Sequence, residues 1–274
     1  MRFLTINSAK LLLFFSFFLL TVLAPVETYS DNGENKSEAS EKKLKYSSTT
    51  SLSLLLTQGN NDSFNFGFKT EQNLQFDKNN LNLNGNIIFS TSEGERKNEI
   101  YYSHLKFNRE ISKRLNLLSL LRMESNKFAG YNFRLALAAG AGYSWIKSKN
   151  LELLSEITLG WSNENNIESM TKNSINHLNS PSKDSVSESF MSSVISTKIT
   201  YSLSDSAKIA HHDIIFLKMK ELKKFRINSF TSISASINKH FALEASLQIN
   251  YDPYPVEGFK KLDLFILSSL VINI

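Results

Sequence analysis

The chain has 274 residues, 31 of them basic and 26 acidic, a formal net charge of +5 and no cysteine. So small and diffuse a surplus argues against a nucleic-acid partner, and the missing cysteines exclude disulfides as the source of stability. Glycine and proline are scarce, at 10 and 4 residues, so most of the chain lacks the composition of a disordered polymer and needs a core or a closed sheet.

Residues 1–30 read as a secretory signal peptide. Arg2 and Lys10 form a positive start, Leu11 to Leu23 is an apolar run rich in Leu and Phe, and a short polar stretch ends at Thr28-Tyr29-Ser30. The run is too short to span a bilayer, and cleavage is expected near Ser30. No cysteine lies there to carry a lipid. Loss of Arg2, Lys10 and Glu27 leaves a net charge of about +4. Residues 31–44, polar and charged from Asp31 to Glu41, read as a flexible periplasmic lead-in.

From residue 45 to 274 the dominant period is two. Phe64, Phe66 and Phe68 alternate with Asn65, Gly67 and Lys69, and Leu81, Leu83, Ile87 and Phe89 alternate with asparagines. Tyr131, Phe133, Leu135, Leu137, Ala139, Ala141, Tyr143 and Trp145 form one apolar face, and Phe241 to Tyr251 repeats the arrangement. Alternate side chains of a strand point to opposite sides, so each segment has one apolar and one polar face. The segments often exceed the length of soluble strands, and aromatics such as Tyr101, Tyr143, Trp145, Trp161 and Tyr251 sit near the ends of the apolar faces. Long alternating strands with aromatic girdles predict a transmembrane antiparallel β-barrel.

The connections give the count. Short ones lie at Asp77 to Asn80, Glu110 to Arg114, Lys147 to Asn150, Ser204 to Ser206 and Asn238 to His240. They alternate with longer ones at Gln58 to Ser63, Thr91 to Asn98, Ser125 to Gly130, Ser162 to Ser189, Lys220 to Lys224 and Asp252 to Lys261. Six long and five short connections join twelve strands, with both termini periplasmic and Ser162 to Ser189 the longest extracellular loop. The last strand, from about Leu262 to Ile274, must pair with the first, since an open edge in lipid leaves backbone groups unsatisfied.

Along this pattern, Thr57-Gln58-Gly59-Asn60-Asn61-Asp62, the stretch Glu124 to Gly130, Gly140-Ala141-Gly142-Tyr143, Leu159-Gly160-Trp161 and Tyr251-Asp252-Pro253-Tyr254-Pro255 occur in succession. In these the chain resembles the YdiY-like group of salt-induced outer-membrane proteins, a family of unknown function. The likeness covers nearly all of the chain after the leader and implies an outer-membrane location and a stress-related envelope role. Barrels of this kind commonly end in an aromatic residue read by the barrel assembly machinery, whereas Ile274 ends this sequence.

The polar faces carry Lys69, Glu71, Arg122, Glu124, Arg134, Glu152, Glu156, Arg226, Glu244 and Asp263, all expected to face one lumen. Mixed signs there favour paired charges filling a modest bore, with a narrow channel for small polar solutes as the functional form. A twelve-strand barrel lies between filled eight-strand barrels and open porins. His104, His177, His211, His212 and His240 are scattered, and of His211-His212-Asp213 only the first and third share a face. No catalytic residue, metal site or cofactor is therefore assigned, with a Ser/His lipid hydrolase the alternative and a surface adhesin using 162–189 a third reading. Lys218, Lys220, Lys223, Lys224 and Arg226 suggest contact with lipopolysaccharide phosphates. The expected partners are outer-membrane lipids and the assembly machinery, and the expected state is a monomer.

Overall fold

The computed structural model describes residues 44–57, 63–92, 95–126, 131–167, 185–255 and 260–274. Twelve strands follow one another in them: β1 (Lys45–Thr57), β2 (Ser63–Phe76), β3 (Asn79–Ser92), β4 (Glu95–Glu110), β5 (Leu115–Asn126), β6 (Tyr131–Lys147), β7 (Leu151–Ile167), β8 (Ser185–Ser202), β9 (Ala207–Lys218), β10 (Phe225–Ser236), β11 (Phe241–Tyr251) and β12 (Leu262–Asn273). Each pairs antiparallel with its sequence neighbours, and β1 pairs with β12, so the sheet closes into a barrel. The seam runs from Thr49 opposite Asn273 to Ser53 opposite Ser269. It is extended by reciprocal bonds between the backbones of Ser48 and Ile274, both 2.9 Å. Closure leaves no strand edge unpaired, which is why a sheet this polar on one face holds together without an apolar centre.

The burial pattern is that of a globular protein turned inside out. Leu54, Leu137, Ile157, Leu159, Leu243, Leu264 and Ile266 are exposed, Ile266 at 72%. Arg122, Glu124, Arg134, Ser162, Glu164, Ser192, Ser232 and Ser246 are buried. From Phe133 onward in β6 the alternation read from the sequence assigns these faces, and the register with β7 keeps like residues together: Leu137 opposes Trp161, Ala139 opposes Leu159 and Ala141 opposes Ile157.

Local chemistry sets the turns. Two residues, Asp77 and Lys78, join β2 to β3, and Asp77 takes a φ of 53°. A two-residue hairpin needs a left-handed first position to match strand twist, and Asp tolerates it better than most residues. Gly140 and Gly160 answer a different demand. A Cβ on Gly140 would lie 1.9 Å from the Ile157 carbonyl oxygen, and one on Gly160 would lie 2.0 Å from that of Leu137.

Three sequence expectations need correction. The stretch Ser162 to Ser189 is strand at both ends: β7 continues to Ile167 and β8 begins at Ser185, with residues 168–184 outside the described residues. Thr91 to Asn98 is mostly strand too, β3 reaching Ser92 and β4 starting at Glu95 across a register shift at Ser90 and Thr91. Tyr131 does not join the apolar face of Phe133 to Trp145. A register irregularity between Tyr131 and Phe133 turns its ring inward, since one extra residue in a strand reverses which way a side chain points. The leader and lead-in, residues 1–43, lie outside the described residues.

Candidate functional site: a bridged lumen

The strongest feature of the interior is a cluster of three guanidinium groups and three carboxylates near the end of the barrel that carries the longer connections. Arg134 on β6 reaches Glu124 on β5 and Glu164 on β7, its Nε donating to Glu164 Oε2 at 2.6 Å. Arg122, two residues before Glu124, donates to Glu124 Oε2 from Nε at 3.0 Å and Nη2 at 2.6 Å. Arg226 on β10 holds Glu164 at 3.0 Å from Nη1 and at 3.2 Å from Nη2, and it donates from Nε to Asp252 at 2.7 Å. Arg122, Glu124, Arg134 and Glu164 are buried. An isolated charge so placed would carry a severe desolvation cost, and mutual pairing offsets it. Tyr131 lies between two cations, its ring 4.3 Å from the Arg134 guanidinium carbon and 5.2 Å from that of Arg226. Phe216 takes Arg134 on another side at 4.7 Å. Just outside the strands, burial pushes the Asp252 carboxyl up, against the pull of the nearby Arg134 charge.

Beside Arg134 on Phe216 (β6 to β9) and Arg226 on Tyr131 (β10 to β6), three more contacts span the interior between strands that are not neighbours. Glu164 to Arg226 joins β7 to β10. Lys106 to Glu156, 2.9 Å, joins β4 to β7. Lys69 on β2 sits 4.3 Å from the Phe230 ring on β10. Each skips two or three strands, so together they run round the barrel from β4 to β2. Glu156 has a further contact with Ser196 at 3.4 Å. A polar chain completes the middle. Asn82 donates to Glu71 at 3.0 Å and meets His104 Nε2 at 3.0 Å, while Tyr102 meets His104 Nδ1.

The charged residues read from the sequence divide accordingly. Arg122, Glu124, Arg134 and Arg226 are brought into one network, and Glu156 takes Lys106. Glu71 joins the Asn82 chain, Lys69 stacks on Phe230, and Glu244 lies within electrostatic reach of Lys69. Glu152 is exposed at the short-connection end, opposite Lys147, and Asp263 is half-buried opposite Asn250. The sequence reading missed Glu164 and Asp252, which fell within stretches taken for loops, and Lys106, which alternation alone could have supplied. Lys218 also departs from the expected loop cluster. It ends β9, is buried, and pairs with Glu188 at 2.6 Å, leaving Lys220, Lys223 and Lys224 exposed. In that connection the hydrogen bond between Glu221 and Lys224 lowers the carboxyl and raises the amine.

His211 and Asp213 do share a face, and it is the outer one. His211 Nε2 lies 2.9 Å from Asp213, and Nδ1 lies 2.8 Å from the Thr231 hydroxyl. Ser155, Thr197, Asp213 and Ser229 stand directly opposite one another on β7 to β10, a polar row flanked by Ile157, Ile195, Ile215 and Ile227. His177 lies outside the described residues. Among the described residues no three His, Cys, Asp or Glu side chains group to hold a metal ion.

The fold and its interior therefore define a closed twelve-stranded antiparallel β-barrel with an apolar outer wall and a charged, bridged lumen. The chain belongs to the family described as "Protein of unknown function, DUF481", whose model matches residues 50–274. No curated protein sequence matches it. Similar solved structures include an outer membrane channel from Pseudomonas putida F1, at 9% identity and a TM-score of 0.46, covering 88% of this chain and 100% of that one. The translocator domain of the autotransporter NalP from Neisseria meningitidis has 10% identity and a TM-score of 0.44, covering 97% of each. The NanC porin has 7% identity and a TM-score of 0.44, covering 83% of this chain and 97% of the porin.

Proposed function

We propose that this protein is an outer-membrane barrel of the cell envelope whose bridged lumen passes only ions and the smallest polar solutes. The observation that carries the membrane reading is the inversion of burial: leucines and isoleucines cover the outer wall while arginines and glutamates fill the inside. Water would not tolerate so continuous an apolar surface, and lipid requires it. The bridges from β4 round to β2 support a narrow passage over an open pore. The reading takes the short connections as periplasmic, the leader at residues 1–30 as the export signal and the monomer as the working unit. Lys220, Lys223 and Lys224 face lipopolysaccharide phosphates in this orientation. The finer YdiY-like assignment, with a role under salt stress and no enzymatic activity, is part of the same proposal.

Membrane fractionation and planar-bilayer recording test it. The protein is expected in the outer-membrane fraction, with small conductance steps that enlarge when Arg134 and Glu164 are both made Gln. Recovery in the soluble fraction, or steps of open-porin size from the wild type, would overturn it.

A second reading, a lipid hydrolase, is favoured by one observation: the chain of hydrogen bonds Thr231–His211–Asp213 on the lipid-facing side, in the order nucleophile, base and orienting acid. The Thr231 hydroxyl would attack an ester carbonyl while His211 takes its proton and returns it to the departing alcohol as the ester C–O bond breaks. Water, deprotonated by His211, would then release the fatty acid from the acyl-threonine. Fatty-acid release from phospholipid vesicles, lost in both His211→Ala and Thr231→Val, supports this reading. No release by the wild type refutes it.

A further inference from the structure

At the short-connection end the lumen opens into a cavity of about 220 Å³ between the turns and the inner faces of β2 to β7. Lys78, Lys106, Lys113, Arg114 and Lys147 line it, against two carboxylates, Glu110 and Glu156. Among the described residues, Lys106 alone of the five cations forms an ion pair, with Glu156. The other four project from turns or strand ends and make no ion pair among the described residues, although Glu152 stands opposite Lys147 and Glu110 shares the cavity. Amides, among them Asn80, Asn108 and Asn116, share the rest of the lining with Ser112, Ser144, Leu115 and Leu154, and Asn116 donates to Asn108 at 3.2 Å. The side-chain exposures of Lys106 and Glu156 are 22% and 13%, so their bridge forms the inner floor.

Unpaired cations converging on a cavity with low-dielectric walls focus a positive potential, which concentrates anions. Amide groups add neutral donors whose geometry suits oxyanions. We propose that this vestibule is a binding site for a small oxyanion, a phosphate or a carboxylate-bearing solute, held between Lys106 on the floor and Lys113, Arg114, Lys78 and Lys147 at the rim. An oxyanion reaching Lys106 competes with Glu156 for the same ammonium group. Occupancy therefore loosens the β4–β7 bridge, and Glu156 keeps its Ser196 contact when displaced. The site rests on the proposed barrel function only in facing the periplasm; binding itself does not require that the lumen conduct.

The test uses the full-length folded barrel in detergent, titrated calorimetrically with inorganic phosphate and with citrate. In a parallel arm, the barrel is titrated with phosphatidylglycerol vesicles. Saturable phosphate or citrate binding that weakens with added salt, and weakens by about tenfold or more in Lys78→Ala/Lys113→Ala/Arg114→Ala, supports the proposal, each exposed charge contributing a few-fold. These three residues lie outside the strands, so circular dichroism of the variant should match the wild type. Lys220→Ala/Lys223→Ala, at the opposite end, should bind as the wild type does. Saturable binding of vesicles but of neither free anion, lost in the same triple variant, supports the site and identifies a lipid headgroup as the source. No binding of any probe, or equal loss in the two variants, overturns the proposal. A silent bilayer recording beside specific phosphate binding would reject the passage and leave the site standing.

Discussion

Replacing Arg134 by Gln removes one cation from a cluster balanced at three and three. Glu124 keeps Arg122 and Glu164 keeps Arg226, but three carboxylates then face two guanidinium groups in a buried setting. Removing one partner of a buried ion pair costs about 3–5 kcal/mol. Loss of the contacts with Tyr131 and Phe216 adds about 0.5–2 kcal/mol. Against a typical total of about 5–15 kcal/mol, this is a large fraction of the stability of a domain. The double variant Arg134→Gln/Glu164→Gln removes one charge of each sign, so it should recover about 1–3 kcal/mol relative to the sum of the single changes. The assay is urea unfolding of the barrel in lipid vesicles, followed by fluorescence of the outward-facing Trp145 and Trp161. A cost below about 1 kcal/mol for Arg134→Gln would refute the view that this cluster holds the lumen together. So would strict additivity in the double variant, because two groups this close must couple.

Four other outcomes follow from the geometry. Gly160→Val should destabilise the barrel by about 1–3 kcal/mol or prevent its assembly, since its Cβ would meet the Leu137 carbonyl at 2.0 Å; heat-modifiability on a gel reads this out. Asp77→Val should cost about 1–2 kcal/mol in the same unfolding assay, because a β-branched residue resists a φ of 53°, and Asp77→Gly should cost nothing. Tyr131→Leu should weaken the cluster by about 1 kcal/mol through loss of two cation–π contacts, with Tyr131→Phe close to wild type in unfolding. Mass spectrometry of the exported protein should find its N-terminus near Asp31, and an intact Met1 would refute the reading of the leader.

The faces of the strands were legible because a period of two needs no knowledge of the tertiary structure, and here both solvents, lipid outside and a polar lumen inside, enforce it along every strand. Composition was a poorer guide to where strands end. Ser and Asn normally mark loops, but in a polar-lined barrel they also mark the inner wall. Ser162 is therefore the most deeply buried side chain among the described residues, and it pairs with Ser192 at 2.6 Å in a stretch that read as loop. Tyr131 was misassigned for a related reason: a bulge leaves the list of residues unchanged and alters only their count against the partner strand.

What alternation cannot supply is height. It says that Glu164 and Arg226 point inward, but not that residues 62 apart in sequence meet at one level. That level is set by strand tilt and by the stagger accumulated from β7 to β10. The pairing of Arg226 is consequently a property of register more than of composition. A slip of one residue in β10 against β9 would carry Arg226 to the outer wall and bring Phe225 or Ile227 inward. Lipid then opposes the slip twice, by rejecting an unpaired guanidinium and by losing an apolar side chain, while Glu164 loses a partner inside. The ion-pair cluster can thus serve two ends with the same atoms: it narrows the lumen, and it penalises every neighbouring register of the strand that supplies Arg226.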